Sequence, residues 1–283
     1  MTSRIVVGIN GSHADGSAVA WAARLAAREG GSLLLFTAVD PLPRVGTVEG
    51  VESVEEWAND LLSGHAEAAR KIAPDVELRT EVQRTSSLPA TFEEVSSRAS
   101  LLVIGSDAGD ELRGRHPGSI RIAAVSKCPV VAVPDEDVSG RRGVVVGADG
   151  SDTSAKAIDF AAAEAAASGE PLIAVMSWQS DVAYGYGYGY AFAYVDDFQQ
   201  AMEASCQEEL DVALERVTST YPDLEIQRVI AEGRPSAVLN EAAAAARMLV
   251  VGSHGRGAFR RLLLGSVSHE LLGSIVVPTA VVR

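Results

Sequence analysis

Basic residues are scarce in this chain: 24 Lys and Arg stand against 38 Asp and Glu, a formal net charge of −14. Binding to a phosphate backbone needs clustered cations, so the balance disfavours nucleic acid as a main partner, and an anionic membrane surface with it. Neither half hides a basic module. Residues 1–140 hold 13 basic and 20 acidic residues, residues 141–283 hold 11 and 18, and each half carries −7. Cysteine is scarcer still. Cys128 and Cys206 are too few for a disulfide framework, and each sits in an apolar or helical pattern that suits a small buried hydrophobe. No apolar run approaches the ~20 residues a membrane helix needs. The run Ile5–Ile9 is too short for the core of a secretion signal and has no cleavage-site pattern behind it, so the expected location is cytoplasmic. The histidines, His13, His65, His116, His254 and His269, lack metal-ligand spacing, so no metal site is expected. There is no G-x-x-x-x-G-K-[ST], hence no P-loop. No Ser-His-Asp or Cys-His arrangement is legible.

What is present is a repeat. Residues 5–12 read IVVGINGS and residues 144–151 read VVVGADGS, 139 positions later. Residues 101–106 read LLVIGS and 248–253 read MLVVGS, with Gly118-Ser119 and Gly265-Ser266 at the same offset of 147. The eight extra residues fall around 182–195, where the Tyr-Gly run 184–190 has no counterpart in the first half. It lacks the third glycine of a dinucleotide fingerprint and reads as a flexible aromatic insertion over a ligand or at a partner surface. The charged stretch 135–142, DEDVSGRR, suits a linker, giving domains at 1–137 and 138–283. In each, short apolar runs bounded by Gly alternate with helical patterns of Ala and Leu. Strands buried on both faces and separated by helices mean a parallel, doubly wound sheet. The expected fold class is α/β: two tandem five-stranded parallel-sheet domains with helices on both faces.

The chemistry concentrates in 252–266. Gly252 ends a strand, Gly255 follows after two residues, and Gly265-Ser266 opens a helix nine residues further on. Such glycines let backbone approach a ligand closely. The amides of Ser266 and Val267 lie in a first helical turn, where they lack intrahelical partners and the dipole is positive. Phosphate is the natural guest, and the loop sits at the carboxyl end of a parallel strand, where open α/β sheets bind ligands. A glycine-rich turn between strand and helix also occurs without any ligand; here the spacing, the context and the repeat favour the cradle. Asp149, at a strand's carboxyl end, suits ribose hydroxyls, or equally a turn. Arg256, Arg260 and Arg261 make the loop positive, either paired to acids on the surface or aimed at phosphate.

The spacing Gly252-x2-Gly255-x9-Gly265-Ser266, with Val146-Gly147-Ala148-Asp149-Gly150-Ser151, resembles the universal stress protein family over essentially the whole chain, as two tandem copies. The resemblance implies a Rossmann-like, adenine nucleotide alpha hydrolase-like fold, and ATP, with or without magnesium, as the ligand. It implies a second-domain site of Gly147, Asp149, Ser177, Trp178, Gly252, Ser253, His254, Gly255, Arg256, Gly257, Ala258, Gly265, Ser266 and Val267. Asp149 would meet the nucleoside, the backbone near Ser177 and Trp178 the adenine, Gly252 to Ala258 the ribose and phosphates, and Gly265 to Val267 the phosphates. The weaker first-domain set is Gly8, Asn10, Val39, Gly105, Ser106, Asp107, Ala108, Gly109, Gly118, Ser119 and Ile120. There Asn10 replaces the Asp, Ala108 replaces the second glycine, and Asp107, Asp110 and Glu111 fall at the phosphate end. A carboxylate about 5 Å from phosphate costs roughly 3 kcal/mol at an effective dielectric of about 20, and a Cβ at positive φ about 1 kcal/mol more. Gly109, Arg113, Arg115 and His116 could offset part of this. The terminal strands 129–133 and 276–282 are expected to pair as an intramolecular pseudo-dimer, with a homodimer left open.

No general base is evident beside the cradle. The reading is therefore an ATP-binding regulatory or stress-response protein with slow or no hydrolysis. A slow ATPase or nucleotide-activating enzyme on the same fold, and a nucleotide-free scaffold, are the alternatives.

Overall fold

The structure, a computed structural model, describes residues 3–39, 54–106, 118–138, 140–179, 192–256 and 264–283. The chain divides into two compact units: Met1–Asp137 with Leu272–Ala280, and Val138–Leu271 with Val281–Arg283. In the first, β1 (Arg4–Gly8), α1 (Asp15–Glu29), β2 (Ser32–Val39), α2 (Val54–Ile72), β3 (Glu77–Arg84), α3 (Leu88–Ser96), β4 (Leu101–Ser106), α4 (Gly118–Val125) and β5 (Val130–Pro134) follow in order. Further along, the chain repeats the alternation with β6 (Val144–Gly147), α5 (Asp152–Ser168), β7 (Leu172–Trp178), α6 (Phe192–Thr220), β8 (Ile226–Glu232), α7 (Pro235–Ala243), β9 (Met248–Gly252), α8 (Ser266–Gly273) and β10 (Thr279–Val282).

In the first unit the strand order is β3-β2-β1-β4-β5, and neighbouring strands pair in parallel, from Ile5 opposite Leu33 and Leu101 to Leu102 opposite Val130. The second unit has the order β9-β6-β7-β8, with β6 parallel to both β7 and β9. The amide of Ser253, just past β9, donates to the carbonyl of Val282 at 2.7 Å and brings the end of β10 alongside. The continuous apolar runs become central strands because both their faces are covered: Ile5, Val7, Val144, Val145 and Val250 are wholly buried. The outer strands β3 and β8 bury no residue fully and carry charged side chains, the usual defence of an unpaired sheet edge.

Small residues let the helices close on the sheet. α1 buries Ala18, Ala22, Ala23 and Ala26, and α5 buries Ala157, Ala161, Ala162 and Ala165, spacings that keep one face of each helix inward. Phe36 of β2 meets Phe92 of α3 edge-on, centroids 5.8 Å apart, a contact worth about 0.5–1.5 kcal/mol beyond its area. Cys128 and Cys206 are both buried, and neither is in a disulfide. Among the described residues no helix is long and apolar enough to cross a membrane. Between β1 and β4, and again between β6 and β9, the connections leave in opposite directions. That switch opens a crevice at the carboxyl ends of the strands.

Candidate functional site

In the second unit the crevice is a cavity of about 370 Å³, within the range of small-molecule sites. Its floor is the loop after β6: Gly147, Ala148 and Asp149. One wall is apolar, from Val175 of β7, Leu239 of α7 and Val251 of β9; the other is Gly252, His254, Gly255 and the start of α8, Gly265 to Ser268.

The floor is built by local hydrogen bonding. Oδ1 of Asp149 accepts the Ser151 amide (3.0 Å) and hydroxyl (2.6 Å). Ser151 Oγ in turn caps α5 by accepting the Ser154 amide at 3.2 Å. Gly150 has φ of +71°, a conformation L side chains rarely adopt, so the turn requires glycine there. Asp149 Oδ2 accepts the Arg256 amide at 3.3 Å and so ties this turn to the loop after β9. Gly255 passes so close that a Cβ would lie 2.5 Å from that Oδ2.

The loop after β9 is pinned where it leaves the strand. Ser253 is buried; its carbonyl accepts the Gly265 amide (2.7 Å) and the Ser268 hydroxyl (3.2 Å). The His254 carbonyl accepts Thr153 Oγ1, and its ring Nδ1 lies 3.0 Å from Ser253 Oγ. The two ends of the glycine loop are thus stitched together at its neck, and the first turn of α8 faces the cavity. Arg256 is exposed and forms an ion pair with Glu209 of α6, which is the surface-pair reading of that arginine.

Of the residues that the sequence singled out in this half, Gly147, Asp149, Ser177, Gly252, His254, Gly255, Gly265, Ser266 and Val267 line one cavity. Trp178, Ser253 and Arg256 do not. Trp178 is buried, its carbonyl accepts the Gly233 amide at 2.9 Å, and its indole nitrogen has no partner among the described residues. Strand alternation accounts for this: Val175 and Ser177 face the cavity and Trp178 the opposite side. Gly257 and Ala258 lie outside the described residues, as do Arg260, Arg261 and the Tyr-Gly run 184–190. Sequence reasoning missed Ser154, Val175, Pro235, Leu239, Val251 and Ser268. Only Pro235, at the first position of a helix after a strand's carboxyl end, carried a local signal.

The corresponding loop of the first unit is wired differently. Asn10 Oδ1 accepts the Ser12 amide at 2.9 Å, which preserves the turn. The carboxylate comes from Asp15, which stands where the second unit has Ser154. Asp15 is buried, and its Oδ2 accepts the amides of Asn10 (3.1 Å), Gly11 (2.7 Å) and Ser12 (3.1 Å). Burial raises its pKa above the usual carboxylate value, against the lowering effect of those amides. Trp57 of α2 packs over Gly11, 3.0 Å from where a Cβ would stand. Gly8 packs beneath Phe92 and Ile104, and Gly105 against the backbone of Ala14. Val39, Ser119 and Ile120 are buried, Ser106 is half-buried, and Gly118 is exposed. Asp107, Ala108, Gly109, Asp110, Glu111, Arg113, Arg115 and His116 lie outside the described residues. Among the described residues no group of three or more His, Cys, Asp or Glu is placed to hold a metal ion.

The profile of the universal stress protein family matches residues 1–134 and 140–283. Universal stress protein Rv2005c of Mycobacterium tuberculosis (strain ATCC 25618 / H37Rv) is 33% identical over 293 residues, 99% of this chain and 96% of that protein. A universal stress protein of Mycolicibacterium smegmatis is 32% identical, with the same coverage of each. Among solved structures, a universal stress protein from Archaeoglobus fulgidus DSM 4304 aligns with a TM-score of 0.70 at 16% identity, over 99% of this chain and 96% of that one. That likeness concerns the fold. A universal stress protein in complex with cAMP aligns over 48% of this chain and 98% of its own, with a TM-score of 0.39 at 22% identity.

Proposed function

The chain belongs to the universal stress protein family, and from that premise and the cleft of the second unit we propose that it is an ATP-binding regulatory protein with slow or no hydrolysis. The observation that carries the reading is a convergence in one cavity of about 370 Å³: a carboxylate acceptor on the floor, a glycine-lined wall and the N-terminus of α8. Adenine lies against Val175, Leu239 and Val251, within reach of the strand end at Ser177. Asp149 accepts from the ribose hydroxyls. Gly255, Gly265, Ser266 and Val267 meet the phosphates, whose charge the first-turn amides and the helix dipole favour. Magnesium, where the nucleotide carries it, is held chiefly by phosphate oxygens and water, the ordinary habit of that ion.

The wiring of Asp149 supports slow turnover. Asp149, the carboxylate that lines this cavity, already accepts from Ser151 and Arg256, which leaves it poorly placed to take a proton from an attacking water. The test is nucleotide analysis of the purified full chain, followed by calorimetry with ATP and an assay of ADP release. We expect adenine nucleotide to co-purify or rebind, with ADP release near the blank. Absence of both co-purified nucleotide and binding heat would overturn the reading, and steady ADP release would favour an enzyme on the same fold.

A further inference from the structure

The Arg256–Glu209 pair lies beside Gly150, next to the floor of the cavity. A Cβ on Gly150 would collide with both the Glu209 carboxylate and the Arg256 guanidinium, so the pair occupies the space directly over the Asp149 turn. The main chain of Arg256 is fixed beside the cavity by the hydrogen bond its amide donates to Asp149 Oδ2 and by its neighbour Gly255, which lines the cavity. Its side chain turns away onto α6. The guanidinium charge is also felt at Cys206, one turn before Glu209, where burial raises the thiol pKa and the positive charge opposes that rise. A guanidinium fork fits carboxylate and phosphate alike. The pair is only partly covered, with 56% of the Arg256 and 31% of the Glu209 side chain exposed, so it is weak enough to exchange.

We infer that Glu209 tunes how far the second cleft prefers phosphorylated nucleotides over nucleosides, because its carboxylate competes with the ligand's phosphates for Arg256. This rests on the nucleotide reading above. ATP draws the guanidinium off α6; adenosine, with no phosphate, leaves the pair intact. Glu209 contributes no contact to either ligand.

Calorimetry on the full chain with ATP and with adenosine tests it. Glu209→Gln should tighten ATP by about two- to five-fold, the range an exposed ion pair is worth, and leave adenosine unchanged. In an Arg256→Ala background the same substitution should add nothing. An equal gain for adenosine, a gain that survives without Arg256, or no gain at all overturns the inference while ATP binding itself stands. If neither ligand binds the unaltered chain, the nucleotide reading fails and this inference with it.

Discussion

Asp149 and Asp15 show how one carboxylate per loop can be put to opposite uses. Asp149 is half-buried and spends Oδ1 on the turn, leaving Oδ2 toward the cavity with one long bond to the Arg256 amide. Asn10 in the first unit keeps that turn with a carboxamide oxygen, so the protein contains its own control. Asp149→Asn should keep the fold and lower ATP affinity by about 1–3 kcal/mol, the scale of hydrogen bonds to a charged group. Asp149→Ala should lose at least as much and also lower the melting temperature. Unchanged affinity in the Asn variant would leave Asp149 as a turn former only.

Asp15 has an acid-side signature. Its folded pKa is raised above 3.8, so the folded chain holds the proton more tightly than the unfolded one. Its titration therefore adds stability that is fully present below pH 3.8 and lost as the pH rises through the folded value. Asp15→Ala removes this and orphans three amides. The melting-temperature gap from wild type should be widest in acid and narrow toward neutrality. Glu270 behaves in reverse: Ser236 and Arg234 hold its carboxyl below 4.5, so its contribution is present above pH 4.5 and lost as the pH falls through its lowered value. A gap for Asp15→Ala that widens toward neutrality would contradict the burial argument.

At the scale of elements, the apolar runs and Ala-rich periodicities gave away the strands and helices, because burial on two faces or one stripe is written directly in residue spacing. The cradle was legible for the same reason: Gly252, Gly255 and Gly265-Ser266 mark strand end, loop and helix start. Contacts between residues distant in sequence were not. Arg256 and Glu209 meet across 47 positions, and Leu239 enters the cavity from a helix whose own pattern says only that it has a buried face. Nor could spacing separate the roles of the glycines. A Cβ on Gly252 would stand 3.0 Å from the Thr153 backbone and 3.1 Å from the Ser154 amide nitrogen, which makes that glycine a packing residue between β9 and α5. Gly252→Ala should therefore destabilise by about 1–3 kcal/mol, the usual cost of overpacking. Gly255→Ala displaces only the end of the Asp149 side chain and should impair ATP binding with little change in melting temperature. Gly265→Val belongs with Gly255→Ala, since a branched side chain there crowds Ser253 and His254 at the neck of the loop. Thermal melts and ATP titrations run on the three variants distinguish these roles, and retained binding in Gly255→Ala with a large drop in melting temperature would reverse the assignment.

Across the whole molecule the two units share a fold and a charge of −7 each, yet they offer a nucleotide different surfaces. The second leaves its carboxylate facing the cavity and caps α5 with Ser151. The first draws its carboxylate inward, where Asp15 consumes the amides of Asn10, Gly11 and Ser12, and Trp57 packs over the turn. Its glycine loop carries Asp107, Asp110 and Glu111 where the second has His254, Gly257 and Ala258. A single carboxylate near a phosphate, at roughly 3 kcal/mol before screening, amounts to about two factors of ten in affinity. Salt shortens the reach of that repulsion, but the carboxylate missing at position 10, where Asn10 offers only a carboxamide oxygen, is a local loss that salt does not restore. The expected outcome is one ATP per chain at limiting nucleotide, bound in the second unit. Calorimetry on the full chain should give a stoichiometry near one, and Asp149→Asn should weaken that binding, whereas a matching change at Asn10, such as Asn10→Ala, should leave it untouched. A stoichiometry of two with equal affinities, or binding that follows Asn10 rather than Asp149, would mean that Arg113, Arg115 and a loop shift at Gly109 outweigh the acids of the first unit.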